Sequence, residues 1–158
     1  MNLDERARLR QLFLEQRWAA LATLCDDGAP SVSFVAYVAE PDFSGFLIHV
    51  SRLAAHTQHL LARSRAALGI SAPDAGEGDP QLLGRVSIQG EVSVLPRGTP
   101  EYSAARTTYL ARLPQAERLF GFEDFLLVRI RPEEARYVGG FARAYTLNGE
   151  QLRLMAAL

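Results

Sequence analysis

The segment RVSIQGEVSV, residues 85–94, alternates with a period of two and constrains the fold more than any other stretch. Val86, Ile88, Val92 and Val94 face one way, and Arg85, Ser87, Gln89, Glu91 and Ser93 face the other. Successive side chains of a strand point to opposite faces, so this is a strand with one buried and one polar face, as an antiparallel sheet provides. Gly90 interrupts the pattern and predicts a bulge or a close approach of backbone.

Further runs of strand character surround it. WAALATL (18–24) and SVSFVAYV (31–38) flank Asp26-Asp27-Gly28, a hairpin signal because glycine supplies the positive φ that a tight turn needs. GFLIHV (45–50), AALGIS (66–71), FLLVRIRP (125–132) and RYVGG (136–140) add four more predicted strands. Helices are fewer. Asn2 and Glu5 form a capping-box pattern ahead of Leu9, Leu12, Phe13 and Gln16 on one helical face. A second helix is predicted over 52–63, and a third from Thr99-Pro100 to about Arg112. Pro114 ends that helix, a short helical piece follows at 115–120, and the tail from Glu150 forms a last turn or two. Residues 73–80, PDAGEGDP, read as a loop. The order predicts an α+β, mainly β chain: an antiparallel barrel or sandwich with peripheral helices. Strict βα alternation and a G-x-G-x-x-G turn are absent, which argues against a doubly wound nucleotide-binding sheet.

The 158 residues form one expected domain, 1–158, large enough to bury a core without disulfides or a structural metal. A formal net charge of −1 gives no whole-molecule field for nucleic acid. Cys25 is the single cysteine, which fits a reducing compartment. No signal peptide is visible, and the apolar runs fall well short of the roughly 20 residues of a membrane span. A cytoplasmic protein without a membrane partner is expected.

One stretch invites a site. In VSRLAAHTQHLLAR (50–63), helical spacing places Arg52, His56, His59 and Arg63 on one face and Leu53, Thr57, Leu60 and Leu61 on the other. Ser51 can cap such a helix, and an arginine beside free N–H groups suits a phosphate. The same spacing equally describes an apolar face on the barrel and a basic face in water. The histidines, with His49 upstream, lack a neighbouring carboxylate, so no metal site is expected. Arg85 is the one cation on the polar face of its strand. In YVGGFARAY (137–145), the paired glycines fit close approach to a ligand or partner, or a simple chain reversal. No nucleophile–base motif or P-loop occurs, so any chemistry falls to a cofactor and the catalytic residues stay unassigned.

Three segments taken in order, RWAALATLCDDGAPSVSFVAYV (17–38), VSRLAAHTQHLLARSRAALGIS (50–71) and GRVSIQGEVSVL (84–95), resemble the FMN-binding split β-barrels related to pyridoxamine 5′-phosphate oxidase. ARYVGGFARAYTL (135–147) resembles the haem-utilisation subgroup of that family. The resemblance implies a six-stranded antiparallel Greek-key split barrel that works as a homodimer with FMN at the subunit interface. It assigns Ser51 and Arg52 to the phosphate, with His56 and Thr57 beside them, although Leu53 stands where the oxidase has a lysine. Val32, Ser33, Phe34 and Val35 match the strand along the flavin ring, and Arg85 matches a position reaching the ring or ribityl side. The residues that recognise pyridoxamine phosphate have no counterpart. The expected function is an FMN-dependent oxidoreductase acting on an unidentified small molecule or electron donor. Haem binding or degradation, and a non-catalytic flavin module, are the alternatives. For haem, the subgroup's C-terminal ligating histidine has no match, since no histidine follows His59.

Overall fold

The computed structural model describes residues 1–157. Seven strands are found among them: β1 (Trp18–Leu24), β2 (Pro30–Ala39), β3 (Phe46–Ser51), β4 (Arg65–Ser71), β5 (Arg85–Val94), β6 (Phe125–Val138) and β7 (Ala144–Asn148). Four helices accompany them: α1 (Leu3–Glu15), α2 (Ala55–Ala62), α3 (Pro100–Arg112) and α4 (Gly149–Ala156). The strand order is β3-β2-β1-β4-β5-β6-β7, and a β3–β6 pairing closes the first six into an antiparallel barrel. Strand β7 is an addition outside that barrel, on the edge of β6.

The predicted turns form for the predicted reasons. The β1–β2 hairpin pairs Leu24 with Pro30, and Gly28 takes φ +84° in its loop. Asn2 and Glu5 make the capping box of α1, which lays Leu9, Leu12 and Phe13 into the barrel core. Thr99 caps α3 and Pro100 occupies its first turn, where a missing N–H costs nothing. Pro114 opens a 3₁₀ segment, Pro114–Gly121.

Strand β6 corrects the sequence reading. The runs 125–132 and 136–140 are one 14-residue strand through Val138, although Pro132 lies inside it. Its first half pairs with β3 as far as Ile130, and its second half pairs with β7 from Glu134. Pro132 sits where the strand changes partner on that edge, so its missing N–H breaks no ladder bond there. On the other edge β6 follows β5, with a register shift at Gln89/Gly90. A Cβ on Gly90 would stand 2.2 Å from the Arg131 carbonyl oxygen, so the glycine is there for close approach of backbone. Gly139 and Gly140 serve the chain reversal into β7, with the Gly139 N–H donating to the Arg143 carbonyl at 2.9 Å.

Two apolar clusters result. One fills the barrel, with Leu21, Ile48, Leu68, Ile88 and Ile130 fully buried. The other lies outside the barrel, where Tyr102, Ala105 and Tyr109 of α3 and Phe120 cover Leu47 and Leu127.

Candidate functional site

The Ser51–Arg52 corner departs from expectation in its local chemistry. Ser51 ends β3 opposite Phe125 of β6, and that extra ladder pair delays the helix. α2 therefore starts at Ala55 with Ala54 as its N-cap, and no side chain caps it. The Ser51 hydroxyl donates to Asp124 Oδ2 at 2.8 Å and accepts the Leu53 N–H at 3.1 Å. Two more donors are spent nearby. The Arg52 N–H bonds the Asp124 carbonyl at 2.7 Å, and the Ala54 N–H bonds the Ser51 carbonyl at 3.1 Å. A carboxylate thus occupies the hydroxyl that the sequence offers to a phosphate, and the exposed Arg52 side chain has no ion-pair partner among the described residues.

The later start also redistributes the faces of α2. Leu53 lies in the turn, 88% exposed, and Leu61 is exposed too, whereas Thr57 and Leu60 enter the core. His59 is half-buried and Arg63 is exposed, and both make structural contacts. His59 Nδ1 is 2.9 Å from the Thr23 hydroxyl, and the Arg63 guanidinium donates to the Cys25 and Asp26 carbonyls, each at 2.8 Å. These bonds tie α2 to the β1–β2 hairpin. His56 is half-buried beside them, its pKa lowered by burial and then by His59.

A second place on the molecule has the shape of a ligand site. The outer faces of β1, β2, β4, β5 and β6 form a cleft of about 690 Å³. Its floor follows from register: Phe34, Ala20, Gly69, Ser87 and Arg136 are successive partners across the sheet. A Cβ on Gly69 would meet only Ala20 Cβ, at 3.6 Å, so the glycine and alanine keep the floor low. Trp18 and Phe34 stack with centroids 6.0 Å apart at one side, and each is about three-fifths exposed, at 61% and 60%. Arg85 and Arg136 stand at the other side. Arg85 Nη1 donates to the Gln81 carbonyl at 2.8 Å and the Leu83 carbonyl at 3.2 Å, which fixes its head.

The structure therefore separates the expected site residues. Phe34 and Arg85 meet in the cleft, and Val32 shares the outward face of β2 at 65% exposure. Ser33 points to the opposite face, and Val35 is buried in the barrel core, so only their backbone lies along the cleft side. Ser51, Arg52, His56 and Thr57 belong to the α2 corner and do not line this cleft within one chain. No histidine among the described residues lines it either. His59 bonds Thr23 on the inward face of β1, while Trp18 and Ala20 present the outward face. Among the described residues no group of three metal-ligating side chains assembles. Trp18, Gly69, Ser87 and Arg136 were not marked by the sequence, because only cross-strand register brings them together.

Comparison with known proteins places this geometry. Residues 6–139 match the pyridoxamine 5′-phosphate oxidase family over most of the chain. The chain belongs to that family. Several of its named relatives lie in the haem-utilisation branch. It is 35% identical over 124 residues to the chloroplastic non-canonical heme oxygenase HOZ of Arabidopsis thaliana, a match covering 78% of this chain and 36% of that protein. It is 22% identical over 145 residues to the heme oxygenase HutZ of Vibrio cholerae, covering 91% of this chain and 81% of the other. A solved heme binding protein from Mycobacterium smegmatis superposes with a TM-score of 0.86 at 28% identity, over 98% of this chain and 62% of that one. The chain thus spans about a third of the chloroplast protein and under two thirds of the mycobacterial one. No helix among the described residues is long and apolar enough to cross a membrane.

Proposed function

We propose that this chain binds haem on the outer face of its sheet and serves in haem breakdown, with a second copy completing the site. The observation that carries the reading is the cleft of Trp18, Phe34, Ala20 and Gly69 with Arg85 and Arg136 on one wall. Haem is a flat apolar disc with two carboxylates on one edge, and the cleft offers an apolar floor with two guanidiniums on one side. Arginine forks suit carboxylates, and each charge-assisted bond contributes about 1.5–3 kcal/mol. Trp18 and Phe34 would cover the ring, and Arg85 and Arg136 would hold the carboxylates. The chemistry supplied by a bound haem is oxygen activation at its iron. The described cleft residues include no histidine, cysteine or methionine, so a protein ligand to the iron would come from a second copy packed on this face. The names of the relatives, two heme oxygenases and a heme binding protein, point the same way.

Titration with haem tests it. A shifted Soret band is expected, and the double variant Arg85→Ala/Arg136→Ala should weaken binding by tenfold or more. An unshifted band, or full affinity in the double variant, overturns the reading.

A second reading keeps FMN and an FMN-dependent oxidoreductase. The exposed Arg52 in the turn ahead of α2 favours it, as a cation for a phosphate that has no ion-pair partner among the described residues. The Ser51–Asp124 bond weighs against it. Flavin absorbance retained on the purified protein, or regained after incubation with FMN, would restore this reading as the main one.

A further inference from the structure

A groove of about 570 Å³ runs between α1 and α3, over the C-terminal half of β2. Its floor is Tyr37, Val38 and Ala39, and its walls carry Phe13 and Ala111. The Tyr37 hydroxyl donates to the Phe13 carbonyl at 3.1 Å, so the floor presents little free polarity. Among the described residues two cations, Arg10 and Arg112, line the groove, and no acidic side chain does. Arg112 is held in place by donating to the Glu15 carbonyl at 2.9 Å.

Arg10 is the telling residue. Its Nε is buried and has no hydrogen-bond partner among the described residues. The fold treats another shielded guanidinium quite differently. Arg129 is gripped by Glu40 at 2.8 and 2.6 Å and is paired with Glu101 as well. A buried donor left unpaired costs free energy, and because this Nε is shielded, a carboxylate would meet the terminal nitrogens of the same guanidinium. The volume lies in the range of small-molecule sites, whose pattern is an apolar lining with few polar anchors.

We propose that this groove binds an amphiphilic carboxylate, an apolar chain or ring system ended by one carboxylate that pairs with Arg10 and Arg112. The assignment is independent of haem in the sheet cleft, with which the groove shares Gln16 alone among its lining residues. Dodecanoate is the probe, titrated calorimetrically into the whole chain, with dodecylamine as the opposite-charge control. Dodecanoate should bind in the groove, and dodecylamine should not. Arg10→Met keeps an apolar stem and removes the guanidinium, and it should weaken dodecanoate at least tenfold. Ala111→Trp, at an exposed wall position, should fill the groove and abolish binding. Arg85→Ala/Arg136→Ala should leave the affinity unchanged, which separates this groove from the cleft. No heat of binding, equal binding of the amine, indifference to both groove variants, or loss in the cleft variant overturns the proposal.

Discussion

Asp124 and His49 show how single side chains set what this barrel tolerates. Ahead of α2 the Asp124 carboxylate holds the Ser51 hydroxyl at 2.8 Å and adds negative charge at the corner that the family resemblance assigns to a phosphate. Removing it frees the hydroxyl and relieves the repulsion. Asp124→Ala should therefore raise affinity for FMN by about tenfold, or about 1.4 kcal/mol. Quenching of flavin fluorescence measures it, and adding Arg52→Ala should cancel the gain. If Asp124→Ala leaves FMN binding unmoved, the carboxylate does not oppose a phosphate at this corner. His49 is a different kind of constraint. It lies parallel to Phe120 at 3.8 Å, with Tyr109 and Phe125 around it, and both ring nitrogens are buried with no partner among the described residues. Burial first, and the Arg97 cation second, lower its pKa from 6.5 to about 4. The folded state therefore holds His49 neutral while the unfolded state protonates it below 6.5. Its contribution is intact above that pH and is lost as pH falls toward 4. Discounted for partial exposure, the loss is on the order of 2 kcal/mol. His49→Phe should flatten the stability profile between pH 7 and 4.5 by that amount in urea unfolding. An unchanged profile would place the acid sensitivity elsewhere.

At the level of elements, the bulge opposite Gly90 fixes how β5 and β6 share their long ladder. Glycine inside a strand ordinarily costs about 0.5–1 kcal/mol relative to alanine, so Gly90→Ala would be expected to help on propensity alone. The Cβ, however, would meet the Arg131 carbonyl at 2.2 Å, and backbone gives way less readily than a side chain. Overpacking of this kind costs about 1–3 kcal/mol and outweighs the propensity gain. The urea midpoint of Gly90→Ala should fall accordingly, and an increase would contradict the close approach. The period-two pattern around this glycine made β5 legible from sequence, and local turn chemistry did the same for the β1–β2 hairpin and the caps of α1 and α3. Continuity of β6 was hidden because proline at 132 carries a strong local signal, whereas its tolerance depends on a change of ladder partner remote in sequence. The start of α2 was misplaced for a related reason: Phe125 recruits Ser51 into the sheet from across the barrel. The cleft was the least legible part. Its residues come from β1, β2, β4, β5 and β6, and of them the sequence singles out Phe34, through family resemblance, and Arg85, through that resemblance and its place on the polar face of its strand.

For the molecule as a whole, the outer sheet face is the feature without an internal partner. The inner faces of the strands fill the barrel, and α3 covers part of the outside, yet Trp18, Val32 and Phe34 remain more than half exposed on adjoining strands. Contiguous apolar surface of this kind marks an interaction face. A second copy placed there would bury the aromatic pair, roof the cleft and bring a further set of side chains toward its floor. Haem affinity and self-association should then fall together. Phe34→Glu puts a charge into the centre of that face at a position the monomer leaves open, so its fold should survive with an unchanged far-ultraviolet dichroism spectrum. Sedimentation equilibrium should report a dimer for the parent chain and a monomer for Phe34→Glu. Haem titrated into the variant should bind at least tenfold more weakly, because the carboxylate repels the propionates and the second wall is gone. A parent chain that sediments as a monomer would remove the dimer from the reading. A variant that stays dimeric would move the interface to another face. A monomeric variant with full haem affinity would show that one copy makes the cleft complete.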